Sequence, residues 1–279
     1  MVLKVQIDNY WVSYCLNGDC NHPAILFLHG FIGDRREFEQ AIAYFCEQFY
    51  CVAIDLPGHG KTYAIDRSRD RDDNYTIQSI ANLVIKFLDL LRVDRCFLVG
   101  YSMGGRLALY LTIHFPKYFH GVVLESASAG IASADARSDR ITKDRQLAAK
   151  LEAIDFRAFL EDWYQQPIFA NLRSHPNFSH LITQRLDNSP ANLAKSLRNL
   201  STGMQPSLWG NLSGNQIPLL LIVGALDPKF VQINRKMQQL TKKSQLEIIP
   251  NCSHNIHFEN PHLFIEKISF FLLPLVHSE

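Results

Sequence analysis

The 279-residue sequence has no excess of charge of either sign. Lysine and arginine together number 28 and aspartate and glutamate 27, so the net charge at neutral pH is +1. Proteins that bind nucleic acid or acidic membranes need a basic surface that neutralises phosphate groups. Nucleic acid is therefore not expected as a partner, although a few basic residues inside a pocket could still bind a small anion.

The chain also lacks a long hydrophobic run. The N-terminal segment Met1–Asp8 alternates apolar and polar residues like a strand, without the basic start and apolar core of a signal peptide. The most apolar stretch, Ile268–Val276, contains Pro274 and falls far short of the roughly 20 residues of a membrane-spanning helix. These patterns predict a buried terminal helix, no export, no membrane insertion and a cytoplasmic location.

Closely spaced cysteine pairs are absent as well. Disulfides need an oxidising compartment, and cysteine metal sites usually show a CxxC spacing. The sequence therefore favours buried thiols of a cytosolic protein over disulfides or a metal site. The six cysteines are Cys15, Cys20, Cys46, Cys51, Cys96 and Cys252.

Short apolar runs that end at turn-forming residues recur along the chain. Each is typical of a strand buried on both faces, and segments with helical spacing separate them, for example Ile77–Leu91. Helices are also predicted through Ile233 and Met237 and from about Pro261. The alternation predicts an α/β fold with a mostly parallel central sheet flanked by helices. The predicted strands are Ala24–Leu28, Cys51–Ile54, Cys96–Gly100, Val122–Leu124, Pro218–Gly224 and Gln245–Ile249.

The character of the sequence changes between Gly130 and Gly203. This segment is rich in arginine and aromatic residues and has few strand signals. Because it interrupts the alternation of strands and helices, we predict a helical lid inserted into one core domain. The predicted core comprises residues 1–129 and 204–279, and the predicted lid comprises residues 130–203.

One turn has the pattern that activates a serine. The strand Cys96–Val99 runs into the turn Gly100–Gly105, which reads GYSMGG, and a helix follows. A serine hydroxyl needs a base to take its proton and must project clear of its own backbone, which a sharp strand-to-helix turn achieves. The motif also occurs by chance in ordinary turns, but its position between strand and helix favours Ser102 as a catalytic serine.

The partners of such a serine should follow it in the order Asp then His, each just beyond a strand. Asp227 follows the strand that ends at Gly224, and His254 follows the last predicted strand. Taken alone, Asp227 could be a turn cap before Pro228, and His254 an ordinary loop histidine. Their order and placement favour a catalytic triad in which Asp227 orients His254 and His254 serves Ser102.

The backbone N–H groups of Phe31 and Met103 are predicted to form an oxyanion hole. Met103 directly follows the serine, and Phe31 lies in the turn His29-Gly30-Phe31 after an earlier strand. In enzymes with this strand–turn–helix arrangement, backbone N–H groups at these two positions donate hydrogen bonds to the negative charge that develops during the reaction. The turn at Phe31 could alternatively be no more than a tight strand exit.

Two further patterns imitate binding motifs. The segment Gly58–Thr62 ends like a phosphate-binding P-loop, but Asp55 stands where its first glycine should be. We interpret it as a strand exit beside the active-site mouth. His254 and His257 have the spacing of metal ligands, but no cluster of carboxylates or thiolates accompanies them in that loop. No metal site is predicted.

Four segments carry a more specific pattern than the triad alone. They are Gly100–Arg106 (GYSMGGR), Asp162–Phe169 (DWYQQPIF), Gly203–Trp209 (GMQPSLW) and Asn251–Asn255 (NCSHN). Together they resemble the MenH family, the 2-succinyl-6-hydroxy-2,4-cyclohexadiene-1-carboxylate synthases of the α/β-hydrolase superfamily. The resemblance spans core and lid and implies an α/β-hydrolase fold with an inserted helical lid. Many relatives carry a proline where this chain has Ala129, a departure that affects only local detail.

The resemblance also implies a reaction. Members of the family eliminate pyruvate from a succinyl-enolpyruvyl cyclohexene dicarboxylate in menaquinone or phylloquinone biosynthesis, with no metal or organic cofactor. By this resemblance Ser102 is a general base toward a ring proton and is not acylated. The substrate would be a small polycarboxylate, contacted by Tyr101, Arg106, Arg140 and Trp163.

Arginine is a suitable residue for this substrate, because its guanidinium group donates two parallel hydrogen bonds to a carboxylate. Arg106 could instead be a cation on a helix surface, although its position one turn behind the serine favours the pocket. Arg140 is selected only by its spacing to the segment that follows, so Arg137 and Arg145 remain alternatives.

Other functions remain open from the sequence. The same triad would serve a serine hydrolase that cleaves esters or carbon–carbon bonds, and a catalytically inactive member of the fold could bind a small molecule beneath its lid. Tyr101 and Trp163 could serve packing alone. We expect a monomer.

Overall fold

The structure is a computed structural model that describes residues 2–276. Nine strands form one sheet in the spatial order β1-β2-β4-β3-β6-β7-β8-β9, with β5 paired to β2 at its side. The strands are β1 (Leu3–Ile7), β2 (Tyr10–Asn17), β3 (Ala24–Leu28), β4 (Tyr50–Ile54), β5 (Tyr63–Ala64), β6 (Cys96–Tyr101), β7 (Phe119–Glu125), β8 (Leu219–Gly224) and β9 (Ser244–Ile249).

The six strands from β4 to β9 in this spatial order run parallel, whereas β1, β2 and β5 pair antiparallel at one side. The predicted α/β fold with a mostly parallel sheet is confirmed. β3, β6 and β8 are buried along their whole length, as strands covered on both faces must be. The sequence patterns do not indicate β2 or β5, because the mixed polar and apolar residues of β2 leave half of its positions partly exposed.

Helices cover both faces of the sheet. α2 shows how the sequence produces one of them: Thr76 caps its N-terminus by accepting a hydrogen bond from the Ser79 N–H, and its apolar stripe faces the core. The helices are α1 (Glu39–Phe45), α2 (Ile77–Leu90), α3 (Met103–His114), α4 (Ala134–Ala153), α5 (Phe156–Trp163), α6 (Ala170–Arg173), α7 (Phe178–Arg185), α8 (Pro190–Asn199), α9 (Pro228–Leu240), α10 (Ile256–Glu259) and α11 (Pro261–Val276).

Helices α4 to α8 all lie between β7 and β8 in the chain and form the lid. They pack around a small apolar core of their own, which includes Phe159, Leu172 and Leu193, and which also takes in Ile32 from the turn after β3. The lid therefore rests on the carboxyl ends of the parallel strands. The exact domain boundaries at residues 130 and 203 stay a prediction.

Two expectations about burial need correction. Only Cys51, Cys96 and Cys252 are buried, whereas Cys20 is exposed because it lies in the turn between β2 and β3. The terminal helix α11 is buried on one face only, since Phe270 is 72% exposed. Within the described part of the chain, no helix has the length and apolar character needed to cross a membrane.

Gly104 is required where α3 starts against the end of β3. A Cβ atom at this position would lie 2.1 Å from the Leu28 carbonyl oxygen, a backbone atom that cannot move aside. We expect Gly104→Ala to lower the free energy of unfolding by about 1 to 3 kcal/mol or more. Urea unfolding followed by circular dichroism measures this.

Gly210→Ala is the matched control, because no heavy atom lies within 4 Å of its added Cβ atom. The control should change the free energy of unfolding by less than about 0.5 kcal/mol. Equal stability of the two variants would contradict the packing argument.

Candidate active site

Ser102 occupies the sharp turn between β6 and α3. Its backbone angles are φ 50° and ψ −102°, a conformation that is strained for a residue with a side chain. The Ser102 N–H donates to the Glu125 carbonyl oxygen at the end of β7, over 2.8 Å. The neighbouring strand therefore holds the strained turn in place, and the hydroxyl group is left half-buried at the head of the helix.

The structure brings together the three residues predicted as a triad. His254 Nε2 lies 3.1 Å from Ser102 Oγ, and His254 Nδ1 lies 2.7 Å from Asp227 Oδ2. An ionised carboxylate only accepts hydrogen bonds, so Nδ1 donates to Asp227 and Nε2 is left to accept from the serine hydroxyl. Asp227 and His254 are almost fully buried. The arrangement can accept a proton at Ser102 and stabilise the resulting imidazolium.

Asp227 has two roles in the structure. Its second oxygen, Oδ1, accepts a hydrogen bond from the Phe230 N–H and so caps helix α9. The alternative interpretation of Asp227 as a turn cap is therefore also correct, and it does not compete with the contact to His254. Because the helix cap fixes the carboxylate, the position of His254 is set by α9 as well as by its own loop.

The predicted oxyanion donors lie where a developing negative charge could meet them. Phe31 and Met103 line the same cavity as Ser102. Within residues 2–276, neither backbone N–H donates a hydrogen bond to the protein. Met103 is also the first residue of α3, where the helix dipole favours negative charge.

A cavity of about 430 Å³ opens between the triad and the lid. Its volume falls within the range of sites that enclose a small-molecule ligand. Three cationic side chains line it, Arg106 from the core, Arg140 from α4 and Lys229 from α9. Among residues 2–276, Asp144 is the only carboxylate that lines it, so these lining residues carry a positive balance of charge.

Arg106 lies inside the cavity and is only 9% exposed. Its guanidinium group donates to Gln205 Oε1 over 2.9 Å and to the Leu200 carbonyl oxygen over 3.1 Å. Burial, together with the charge of Arg140, lowers the pKa of Arg106 to about 10, so the group remains a cation at neutral pH. The alternative of a surface cation is excluded, and three of the five N–H donors remain for a ligand.

Of the three lid arginines considered from the sequence, Arg140 is the one that lines the cavity among residues 2–276. Its Nε donates to Asp144 over 2.8 Å, and Asp144 also accepts from the Ser201 hydroxyl. Arg137 donates instead to the Gly203 carbonyl oxygen, and Arg145 is exposed. The structure therefore favours Arg140 over both alternatives.

The two aromatic candidates occupy different places. Trp163 lines the large cavity, and its ring contacts that of Phe31 at a centroid distance of 5.4 Å. Tyr101 is 5% exposed and packs against the His254 ring, and it lines a separate cavity of about 30 Å³ beside Ser102. Packing against the triad is thus an established contact of Tyr101, whereas its contact with substrate stays a prediction.

The sequence did not reveal two cations near the serine. Lys229 is exposed at the mouth of the large cavity, and within residues 2–276 it forms no ion pair with a carboxylate. Its position two residues after Asp227 is the sequence feature that could have identified Lys229. Arg185, from α7, lines the small cavity with Ser102, and no motif in the surrounding sequence marks it.

Four ionisable side chains form a buried cluster behind the triad. His257 Nδ1 lies 2.7 Å from Glu125 Oε2, and Arg185 Nη2 lies 2.5 Å from Glu37 Oε1. Their side chains are at most 4% exposed. We call Glu37, Glu125, Arg185 and His257 the buried ionic cluster.

The histidine spacing that imitates a metal site is explained by this cluster. His257 pairs with two carboxylates, whereas His254 pairs with Asp227 and Ser102. In the described residues, no group of three or more potential ligands could hold a metal ion. The P-loop-like segment Gly58–Thr62 has a structural role, because the Thr62 hydroxyl donates to the Asp55 carbonyl oxygen at the strand exit.

The short contact between His254 and Asp227 generates a spectroscopic prediction. We expect the Nδ1 proton of His254 to resonate far downfield of the amide protons, because it lies in a charge-assisted hydrogen bond of 2.7 Å. Asp227→Asn should remove or strongly shift this signal, while asparagine keeps the cap of α9. Proton NMR measures the signal. Asp162→Asn, at an exposed aspartate that forms an ion pair with Lys150, is the control and should leave the His254 signal unchanged. A signal that survives in Asp227→Asn would contradict the geometry.

The comparisons with known proteins agree with the fold. A model of the α/β hydrolase fold family matches residues 23–261. The 2-succinyl-6-hydroxy-2,4-cyclohexadiene-1-carboxylate synthase of Serratia proteamaculans is 36% identical over 259 residues, covering 92% of this chain and 95% of that protein. The synthase of the same name from Escherichia coli O1:K1 is 34% identical over 239 residues, covering 86% and 89%.

A solved structure gives the same result in three dimensions. The structure of MenH from S. aureus superposes with a TM-score of 0.87 at 34% identity, covering 94% of this chain and 98% of that one. Identity at this level extends over the lid as well as the core. The chain therefore belongs to the 2-succinyl-6-hydroxy-2,4-cyclohexadiene-1-carboxylate synthase family of the α/β-hydrolase superfamily.

Proposed function

We propose that this protein is a carbon–oxygen lyase that eliminates pyruvate from 2-succinyl-5-enolpyruvyl-6-hydroxy-3-cyclohexene-1-carboxylate. The product is 2-succinyl-6-hydroxy-2,4-cyclohexadiene-1-carboxylate, an intermediate of menaquinone or phylloquinone biosynthesis. The observation that carries the proposal is the opening of a serine triad into a cavity lined by Arg106, Arg140 and Lys229. Relatives that match 92% and 86% of the chain carry the name of this activity.

The reaction needs a base beside a developing enolate. The substrate has one ring double bond and the product two, so a proton must leave the ring carbon that bears the succinyl group while the enolpyruvyl group leaves as pyruvate. That proton is adjacent to the succinyl carbonyl group, whose oxygen takes up negative charge in the transition state. A positioned base and a donor pair for this oxygen are the groups that lower such a barrier.

The triad supplies the base. Ser102 Oγ takes the ring proton while its own proton passes to His254 Nε2, 3.1 Å away. Asp227 stabilises the imidazolium that forms, through its hydrogen bond to Nδ1. The proton held on His254 then passes to the departing enolate, which leaves as pyruvate, so the triad returns to its starting state and no acyl-enzyme forms.

The proposed donors to the enolate oxygen are the N–H groups of Phe31 and Met103. Both line the cavity beside Ser102, and neither has a protein acceptor within residues 2–276. Backbone donors fixed before the reaction need no rearrangement when charge develops, which is why they stabilise the transition state more than water does.

The cations of the cavity suit the substrate. It carries three carboxylates, one on the ring, one at the end of the succinyl group and one on the enolpyruvyl group. Three positively charged side chains line the cavity, namely Arg106, Arg140 and Lys229. They range from the buried Arg106 to the exposed Lys229. Trp163 supplies an apolar part of the cavity wall. A neutral ester would not need this charge.

A serine hydrolase is the second candidate, since the same contact of Ser102 with His254 activates a serine for acyl transfer. Its substrate would not require three cations in the cavity. A monomeric state, a cytoplasmic location and the absence of a cofactor stay predictions from the sequence.

Replacing the serine tests the base. We expect Ser102→Ala to lower kcat for pyruvate release by at least about a thousandfold, because the remaining groups cannot take the ring proton. Pyruvate is measured with lactate dehydrogenase and NADH. Ser174→Ala, at the exposed residue that follows α6 of the lid, is the control and should keep the wild-type rate. Full activity of Ser102→Ala would overturn the assignment of the base.

Replacing Arg106 separates the two candidate functions. We expect Arg106→Ala to lower kcat/KM for the tricarboxylate by about 10 to 100-fold, the effect of losing charge-assisted hydrogen bonds. Hydrolysis of a neutral activated ester should change little. Arg145→Ala, an exposed residue on α4, is the matched control and should leave both activities unchanged. An Arg106→Ala variant with unimpaired pyruvate release would contradict the proposed contact of Arg106 with the substrate.

A further inference from the structure

A groove on the outer surface of the protein adjoins the active-site cavity. It has a volume of about 730 Å³ and runs along α4, with α5 and the start of α9 on its other sides. We call it the outer groove. Six residues line both the groove and the cavity, so the two spaces meet at a shared opening. They are Ile131, Arg140, Asp144, Trp163, Gln166 and Lys229.

The shared opening presents hydrogen-bond donors to an incoming anion. Arg140 is 38% exposed, and within residues 2–276 it donates to Asp144 through Nε alone, so its terminal N–H groups remain for a ligand. Lys229 lies exposed on the opposite side of the opening. Its Nζ is 5.7 Å from the centre of the Phe230 ring, and that ring contacts His254 at a centroid distance of 4.6 Å. The opening therefore leads directly to the triad.

One face of α4 forms the long wall of the outer groove. Its residues recur at intervals of three and four positions, which places them on the same side of a helix. The face is charged, and half of its length lies beyond the active-site cavity, in contact with solvent. The residues are Ala136, Asp139, Arg140, Lys143, Asp144, Gln146, Leu147 and Lys150.

Most of the charges in the outer groove are already neutralised. Arg140 pairs with Asp144 over 2.8 Å, and Lys150 pairs with Asp162 over 2.7 Å. Three other charged groups line the groove, namely Lys143, Lys229 and Asp139, and all three are exposed. Within residues 2–276 none of these three forms an ion pair.

The unpaired cations form a path toward the serine. Lys143 lies in the groove outside the opening, Lys229 lies at the opening, and Arg106 lies inside the cavity. Clefts lined by one sign of charge raise the local concentration of an oppositely charged ligand and the rate at which it associates. A ligand with three carboxylates interacts with each of these cations three times as strongly as a monoanion does.

We propose that the outer groove is the entry path and first binding site of a small polycarboxylate, with Lys143 as the outermost cation of that path. The proposal rests on the proposed lyase function for the identity of the polycarboxylate, whereas the groove and its charges do not depend on it. Asp139 faces the same space with the opposite charge, so it opposes entry. The bland alternative is that Lys143 only solvates an exposed helix face, as Arg145 does.

The test compares Lys143→Gln and Asp139→Asn with the control Arg145→Gln. Arg145 is also an exposed cation of α4, but it lies two positions from Lys143, about 200° around the helix, and does not line the outer groove. Lys143→Gln and Arg145→Gln change the total charge equally. A difference between them therefore reports the position of the charge.

Two measurements are made at low and at high ionic strength. The first is the rate of association and dissociation of the tricarboxylate substrate, followed by stopped-flow tryptophan fluorescence in a Ser102→Ala background, because Trp163 lines the shared opening. The second is kcat and kcat/KM for pyruvate release in the background with Ser102 present.

We expect Lys143→Gln to lower the association rate constant by about 3 to 10-fold at low ionic strength, and Asp139→Asn to raise it by a similar factor. kcat/KM should move in the same directions, while the dissociation rate constant and kcat change little. Both effects should shrink at high ionic strength, since salt screens exposed charges. Arg145→Gln should alter every rate less than about twofold.

The proposal is overturned if Lys143→Gln and Arg145→Gln have the same effect, because only the total charge would then matter. An effect confined to the dissociation rate constant also overturns it, since Lys143 would then act on the bound ligand and not on its entry. The same holds if Asp139→Asn slows association. If the wild-type protein releases no pyruvate, the lyase function fails, and the association rates in the Ser102→Ala background still decide whether the outer groove admits the tricarboxylate.

Discussion

The hydrogen bond between Ser102 and His254 is the contact on which the rest of the site depends, because its two residues are 152 positions apart in the chain. The parallel sheet makes the contact possible. β6, β8 and β9 all end at the same edge, so the serine turn after β6, Asp227 after β8 and the histidine loop after β9 meet there. In open α/β sheets this edge is the general place for ligand sites. The apolar strands thus determine where the polar chemistry is located.

The lid determines which ligand that edge can accept. It closes over the triad a cavity of about 430 Å³, and it contributes Arg140 and Trp163 to the walls. The core contributes Arg106, whose guanidinium group is held by Gln205 and by the Leu200 carbonyl oxygen, residues that follow the last lid helix. Removal from water makes each of these cations a stronger partner for a carboxylate than it would be at the surface. A serine triad common to many hydrolases is thereby placed in a site suited to a polyanion.

The same lid also brings a charge into the core. Arg185 completes the buried ionic cluster, whose other members reach the backbone on both sides of the reacting pair through Glu125. A buried ion pair between Arg185 and Glu37 therefore joins the lid to the core. The Arg36–Asp187 ion pair also joins lid and core, but in a more exposed position. Burial is what distinguishes the two pairs, since it makes the loss of a partner costly.

The sequence by itself determined the α/β fold, the serine turn and the order Ser102, Asp227, His254, because strands, sharp turns and helix starts are encoded in short segments. Local spacing could not distinguish Arg140 from Arg137, which lie three positions apart on one helix face. Only the docking of α4 decided between them. The buried ionic cluster was also decided by the tertiary structure alone. Its members are separated by as many as 220 positions, and no local pattern records which buried charge a distant residue will neutralise.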